Sequence, residues 1–303
     1  MGTKSRTRRT KAHLGDLLEA CLTVLGEYNC RISIRHLYYR LSMGGWIEKT
    51  EAAYNNLRAL LVKWRRAGSI DMDAFVDATR WYKGTGGSED ALDILQSLPS
   101  AYKLNLWQTQ NVFVEVWVEK EAIAAIVAPI ANEWTLQTFV CRGDPSISSM
   151  ASAAATFRNK IKRGREVKII YLGDYDETGL DIPVKIVRNF REDHGVEVEL
   201  TRAAVTAEQI EHLDLPTRPP KMTKRGPSVD FAVEVDAMSP GQIRESVEWE
   251  IRMLVDQDEL DRLRRIEEAE RETLASLPRL CRESVHRIWS AEGYEFPAGE
   301  GEA

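Results

Sequence analysis

The stretch IIYLGDYDETGLDIP, residues 169–183, decides the fold class of this chain. Four apolar residues run into Gly173, and Asp174 and Asp176 follow at once. A short apolar run bounded by glycine predicts a buried strand, so the two aspartates lie where that strand ends. Carboxylates this close raise each other's pKa unless a cation or strong hydrogen-bond donors hold them. The stretch therefore predicts a cation-binding loop at the end of a buried strand.

Strands and helices alternate from residue 112 onward. The predicted strands cover 112–118, 136–141, 167–173 and 196–205, and the helices between them cover 121–134, 146–164 and 180–193. This alternation is typical of βαβ units, so we expect an α/β fold with a parallel sheet covered on both faces. Ligands of such sheets bind at the carboxyl ends of the strands. Glu119 follows the first strand, and Asp174 and Asp176 follow the third.

Three carboxylates at two strand ends form a hard-oxygen site suited to Mg²⁺, with Mn²⁺ as an alternative ion. No histidine or cysteine adjoins Glu119, Asp174 or Asp176 in the sequence, which disfavours zinc and copper. Glu234 and Asp236, in a strand predicted over 231–238, either add to this site or belong to a capped turn. The alternative for the whole group is structural: Asp174 caps the next helix and Glu119 pairs with a lysine.

The first 77 residues follow the order of a winged helix-turn-helix. Helices are predicted over 12–28, 34–43 and 51–67, with a strand-like link over 30–34 and an extended piece over 69–77. Ser33 and Thr50 stand at N-cap positions of the second and third helices. In winged helices the last helix enters the DNA major groove. A plain three-helix cluster with an exposed basic face is the alternative.

Charge is distributed unevenly along the chain. Residues 1–66 hold 13 Lys+Arg against 5 Asp+Glu, or +8, while the remainder holds 28 against 42, or −14. A basic end of this kind indicates contact with a polyanion, although a solvated surface explains any single basic residue. The candidate DNA-binding residues, all on the third helix, are Asn55, Arg58, Lys63, Arg65 and Arg66.

The segment IRHLYYRL carries two adjacent tyrosines. Ile34, Leu37, Tyr38 and Leu41 recur at helical spacing and predict one buried face. Tyr39 is turned about 100° from Tyr38, onto the side where Arg35 lies one turn earlier. An arginine beside a phenol favours its ionised form and can bind a phosphate, so Tyr39 is a candidate nucleophile with Arg35 as its catalytic partner. The alternative is an exposed aromatic ring that stacks on a partner or a base.

These motifs together resemble a known family. VWVEKEA followed by LGDYDETGLDI resembles the Toprim domain shared by topoisomerases, primases and some nucleases. With RHLYYRL upstream, CRGDPS between the acidic motifs and VEVDAMSP after them, the chain resembles the A subunit of topoisomerase VI and its meiotic double-strand-break relatives. The branch called Topo mini-A is the most similar, and the resemblance covers residues from about 30 to 255.

The resemblance implies a winged-helix domain with the nucleophilic tyrosine and a connector (1–105), then a Toprim domain with a C-terminal helical extension (106–303). It implies Mg²⁺-dependent cleavage of double-stranded DNA by a homodimer. Tyr39 would attack, Glu119, Asp174 and Asp176 would hold the metal, and 5′-phosphotyrosyl double-strand breaks would result. Each site would pair the tyrosine of one copy with the metal site of the other. Little more than a basic tail and one helix precedes the winged helix, where archaeal A subunits carry a longer extension that docks a separate ATPase subunit.

Two other functions remain open. The first is a Toprim nuclease that cuts without a covalent tyrosine, a layout similar to the nuclease subunit of Wadjet anti-plasmid systems. The second is a non-catalytic DNA-binding protein. No apolar run approaches the roughly 20 residues of a membrane span, so no membrane partner is expected. The four cysteines show no paired spacing, which favours a reducing cytoplasm and, with DNA as partner, association with the nucleoid.

Overall fold

The computed structural model describes residues 11–28, 31–75, 87–220 and 229–296. The basic tail of residues 1–10 and the last two residues of the extended piece predicted over 69–77 lie outside these ranges. The described chain forms two compact units, one within 1–80 and 111–254 and the other within 81–110 and 255–303. The predicted division into domains 1–105 and 106–303 stays a prediction.

Three helices come first in the larger unit. They are α1 (Lys11–Gly26), α2 (Ile34–Met43) and α3 (Glu51–Arg66). The Ser33 hydroxyl accepts a hydrogen bond from the His36 amide at 3.1 Å, and Thr50 accepts one from Ala53 at 3.2 Å. Both predicted N-caps are therefore confirmed, and each satisfies one amide that a helix start would leave unpaired.

Tyr38 joins α2 to the start of α3. Its ring is buried, and its hydroxyl donates to the carbonyl of Thr50 at 3.0 Å. Ile32 forms an isolated parallel bridge with Phe75, beyond α3. The predicted order of helix, link and helix is present, and the assignment as a winged helix stays a prediction.

Four strands form one parallel sheet in the described part of the chain. They are β1 (Val112–Val118), β2 (Gln137–Val140), β3 (Glu166–Leu172) and β4 (Glu199–Ala204), in the order β2-β1-β3-β4. The predicted α/β class and parallel sheet are confirmed.

Helices pack on both faces of this sheet. They are α5 (Glu121–Glu133), α6 (Ile147–Lys162), α7 (Glu177–His194) and α9 (Pro240–Leu254), and the short α8 (Ala207–His212) follows β4. Trp117, Ile169 and Tyr171 bury one face against α6 and α7. Strand side chains alternate between faces, so Val116 and Ile170 point to the other face, where α5 and α9 pack.

The strand order creates a crevice between β1 and β3. The connection after β1 leads to β2 on one side of the sheet, and the connection after β3 leads to β4 on the other side. The two loops therefore diverge at the carboxyl ends of these adjacent strands, which is where open α/β sheets bind ligands. Glu119 and Asp174 stand at this point.

The strand predicted over 231–238 is wrong. Ala232 and Val233 form only isolated antiparallel bridges, with Arg218 and Tyr175, and a 3₁₀ helix (Val235–Ala237) follows. The Val235 amide donates to the carboxylate of Asp174 at 2.9 Å. The Asp174 side chain thus accepts the hydrogen bond that the Val235 amide would donate to a neighbouring strand.

The smaller unit contains α4 (Ala91–Ala101) and the 35-residue α10 (Gln257–Ala291), which pack together. Residues 91–101, which the sequence assigns to a connector with turn and loop signals over 81–107, form a helix. Asp90 caps α4 by accepting from the amide of Asp93 at 3.0 Å. Among the residues described, no helix is both long and apolar enough to cross a membrane.

Candidate functional site

Glu119 lies directly against the loop that follows β3. Its carboxylate accepts a hydrogen bond from the Asp174 amide at 3.0 Å, and its own amide donates to Leu172 at 2.9 Å. A Cβ on Gly173 would lie 2.7 Å from the Glu119 carboxylate and 2.6 Å from the Tyr171 hydroxyl. Only glycine lets the loop approach this closely, which explains its place in the sequence.

The two aspartates of this loop have different partners. Asp174 Oδ1 accepts from the Val235 amide and lies 2.9 Å from the ammonium of Lys120. Asp176 caps α7 by accepting from the Gly179 amide at 2.9 Å, and its other oxygen lies 3.6 Å from the Arg218 guanidinium. The capping role that the structural alternative assigned to Asp174 therefore belongs to Asp176.

Two more carboxylates join from the segment before α9. Lys120 Nζ lies 3.0 Å from Asp236 Oδ2, and Glu234 Oε1 lies 2.9 Å from Lys49 and 3.2 Å from Arg218. From the sequence, Glu234 and Asp236 either add to the metal site or belong to a capped turn. The structure brings both close to the predicted metal ligands. We call the following five residues the carboxylate cluster: Glu119, Asp174, Asp176, Glu234 and Asp236.

Basic side chains pair with the cluster. In the described part of the chain, Lys49, Lys120 and Arg218 form ion pairs with Asp174, Asp176, Glu234 and Asp236. Burial raises the pKa of Glu119, and the charge of Asp174 raises it further. Burial also raises the pKa of Asp174 although Lys120 opposes the shift. At Glu234 burial acts to raise the pKa, but Lys49 and the other nearby cations outweigh it and leave the pKa lowered.

The predicted metal ligands fit Mg²⁺ in their chemistry but not in their arrangement. All are hard oxygen donors at strand ends, as Mg²⁺ prefers. Within the described ranges, however, no three histidine, cysteine, aspartate or glutamate side chains are placed to share one ion. Lys120 lies on Asp174, and Arg218 lies near Asp176. Binding an ion here therefore requires these side chains to rearrange.

Tyr39 lies at the surface of α2, half-buried, beside Arg35. The Arg35 Nε donates to the Tyr39 hydroxyl at 3.3 Å, whereas Tyr38 is 6% exposed. The predicted helix phase is confirmed for both tyrosines. The catalytic role of Tyr39 stays a prediction.

A basic and aromatic surface surrounds this tyrosine. The ring centre of Tyr54 lies 6.0 Å from the Arg35 guanidinium and 5.7 Å from that of Arg58. We call Arg35, Tyr39, Tyr54 and Arg58 the tyrosine face. Lys49 Nζ lies 5.4 Å from the Tyr39 ring centre and also pairs with Glu234. One lysine thus contacts both the tyrosine face and the carboxylate cluster.

Four of the five predicted DNA-binding residues are exposed on α3: Asn55, Arg58, Lys63 and Arg66. Arg65 differs, because its guanidinium donates to the carbonyl of Met72 and lies 5.7 Å from the Phe75 ring centre. Arg65 therefore holds the segment that follows α3.

Sequence reasoning missed the basic residues that contact the cluster, which include Lys49, Lys120, Arg202 and Arg218. Lys120 follows Glu119 directly in VWVEKEA, so its place next to a predicted metal ligand could have pointed to it. Arg202 of β4 donates to the carbonyls of Gly173 at 3.0 Å, Asp174 at 3.3 Å and Gly179. Arg202 could have been noticed as an arginine within the alternating pattern of a predicted strand.

No family model matches the chain, and no curated protein or solved structure matches it.

Proposed function

We propose that this protein cleaves double-stranded DNA by transesterification, as a type IIB topoisomerase A subunit does, with Tyr39 as the nucleophile. On this proposal the first helices form a winged helix and the sheet forms a Toprim domain. The observation that carries the proposal is the half-buried phenol of Tyr39, held by Arg35 at 3.3 Å within a basic and aromatic surface. The resemblance of RHLYYRL assigns the nucleophile to the same position.

Arg35 would serve the reaction in two ways. Its guanidinium donates to the oxygen that attacks, and its remaining donors can bind a phosphate oxygen. The Tyr39 oxygen forms a bond to phosphorus while the bond from phosphorus to the 3′ oxygen breaks. The phenolic proton leaves to water, and the 3′ oxygen takes one up. Because one phosphoester replaces another, the break is nearly isoenergetic and reversible.

The carboxylate cluster would act on the same phosphate. A divalent ion bound by Glu119, Asp174 and Asp176 would stabilise the charge on the phosphate and on the departing 3′ oxygen. Lys49 contacts both Tyr39 and Glu234 within one chain. The cations of the tyrosine face and α3 would counter the DNA phosphates.

A break in both strands needs two tyrosines, so the proposed active form is a homodimer on double-stranded DNA. A separate ATPase subunit is a candidate partner if the protein also passes strands.

The test is a covalent-adduct assay. Purified protein is incubated with supercoiled plasmid and Mg²⁺, denatured and run on a gel, with chelator as the control. We expect linear DNA that carries protein on its 5′ ends and resists 5′ exonuclease but not 3′ exonuclease. Free cleaved ends would instead support the Toprim nuclease, and a shifted native band without cleavage would support the DNA-binding protein.

A further inference from the structure

Lys120 bridges two buried acids of the cluster. It stands at the N-cap of α5, and its ammonium lies 2.9 Å from Asp174 Oδ1 and 3.0 Å from Asp236 Oδ2. The side chains of these aspartates are 9% and 2% exposed, whereas that of Lys120 is 30% exposed. The ammonium therefore neutralises buried charge and keeps a route to solvent along its flexible stem.

Lys120 contacts one of the two carboxylate oxygens of Asp174, a predicted metal ligand. Asp174 Oδ1 already receives the Val235 amide and the ammonium, so two donors occupy its lone pairs. A divalent cation on the same carboxylate would lie a few ångströms from a positive charge. At that separation the repulsion is large even with an effective dielectric constant of about 20.

The Lys120 ammonium and a divalent ion would compete for the same carboxylate. The ammonium must therefore move when an ion arrives. Asp236 would lose that partner with it, and its Oδ1 is already buried without a hydrogen-bond donor, 3.6 Å from His36 Nδ1.

We propose that Lys120 is the resident cation of the carboxylate cluster, and that a divalent ion binds there only by displacing its ammonium from Asp174. The inference rests on the proposed function, since it concerns the same metal site. It explains why the carboxylate oxygens of the cluster do not converge on one point in the described part of the chain. Lys120 then sets the ion affinity, keeping it weaker than the carboxylates alone would give.

The test compares Mg²⁺ and Mn²⁺ binding by calorimetry in the wild type, Lys120→Met and Lys120→Arg. Lys168→Met is the matched control, because Lys168 also bridges two carboxylates, Glu166 at 3.0 Å and Glu199 at 2.5 Å, outside the cluster. We expect Lys120→Met to bind ions roughly tenfold more tightly or better, since a like charge is gone. Lys120→Arg and Lys168→Met should stay within about twofold of the wild type, a change too small to indicate a lost charge.

Thermal unfolding gives a second readout that needs no DNA. Without divalent ions, Lys120→Met should melt below the wild type, because buried carboxylates lose their counter-charge. Saturating Mg²⁺ should then raise its melting temperature more than that of the wild type. If Lys120→Met does not fold, Lys120→Gln removes the charge and keeps a donor for Asp174.

Equal or weaker ion binding by the neutral variants would overturn the inference and make Lys120 a structural bridge. Absence of binding in every variant would overturn the metal site together with it. Failure of the proposed function has a different signature: the neutral variants bind ions more tightly, yet no variant forms a DNA adduct. That outcome would leave the role of Lys120 supported.

Discussion

Tyr38 and Tyr39 are neighbours in the chain, but α2 turns them to different surroundings. Tyr38 is buried and bonded to the backbone at Thr50, while Tyr39 is half-buried and bonded to Arg35. Replacing each tyrosine in turn with phenylalanine removes the same hydroxyl from two different surroundings. The two variants therefore separate a catalytic role from a packing role.

We expect Tyr39→Phe to abolish the covalent adduct while folding and DNA binding survive. Tyr38→Phe should keep the adduct and lose about 1 kcal/mol of unfolding free energy, since a hydrogen bond is missing inside the protein. The adduct assay and thermal unfolding of both variants check this. Cleavage to free ends by Tyr39→Phe would favour the nuclease, and loss of the adduct only in Tyr38→Phe would assign the nucleophile to Tyr38.

Glu115 is a buried acid outside the proposed site. It lies on β1 and accepts a hydrogen bond from the Trp117 indole at 2.9 Å. Burial is the main cause of its raised pKa. A raised carboxyl pKa means that the folded chain holds the proton more firmly than the unfolded chain. The stability that this proton contributes is full below the unfolded value, about 4.5, and is lost as pH rises through the folded value.

Glu115→Gln should therefore stabilise the protein at neutral pH, because the amide can accept the same hydrogen bond without a buried charge. We expect a melting temperature higher by on the order of 2–4 °C at pH 7.5 and a gain that vanishes near pH 4. The exposed Glu211→Gln is the control. A gain that is constant with pH would show that the charge of Glu115 is not the cause.

At the scale of single elements, α3 carries the proposed DNA contacts. Arg58, Lys63 and Arg66 are exposed, so each is free to meet a phosphate. Replacing each with Gln should weaken binding to every DNA sequence and lower the salt slope by roughly 0.9 per lost contact. Binding measured over a range of salt concentrations checks this, and unchanged slopes would place the DNA on another surface.

Arg65→Gln should behave differently from its neighbours, because Arg65 holds Met72 and Phe75. We expect a loss of about 1 kcal/mol in unfolding free energy and little change in salt slope. A full loss of slope with unchanged stability would show that Arg65 turns outward to bind DNA.

The predicted metal ligands lie in the loops after β1 and β3. Calorimetry should detect Mg²⁺ or Mn²⁺ binding that Asp174→Asn with Asp176→Asn removes, since two ionised ligands are lost. Asparagine is chosen because Asp176 caps α7, and asparagine also caps helices. The control is Asp144→Asn with Asp181→Asn, two exposed acids that pair with Lys185. Unchanged binding in the first pair would place the ion elsewhere.

At the scale of the whole molecule, each tyrosine could work with the carboxylate cluster of its own chain or with that of the other copy. The resemblance predicts exchange between two copies, and Lys49 lies against both Tyr39 and Glu234 of one chain. In a mixed dimer of Tyr39→Phe with Asp174→Asn, exchange leaves one intact site, so we expect nicked plasmid with one covalent end. Both homodimers serve as controls and should not cut. A mixed dimer without nicks would show that each tyrosine works with its own cluster.

Local patterns were sufficient for much of the fold and for part of the site. Helix period placed Tyr38 inside and Tyr39 beside Arg35, and hydroxyl side chains marked the starts of α2 and α3. Alternating strands and helices predicted the parallel sheet and put Glu119 and Asp174 at one edge. These features depend on residues within a few positions of one another, so they can be predicted from one sequence.

The charge partners came only from the tertiary structure. Lys120 meets Asp236 across 116 positions, and Lys49 meets Glu234 across 185, because the strand order and the docking of α2 bring those segments together. The Val235 amide donates to Asp174, and isolated bridges and a 3₁₀ helix stand where a strand was predicted. Arg65 donates to the carbonyl of Met72. Ion pairing acts through space and not along the chain, so periodicity shows which residues are charged but not which charges meet.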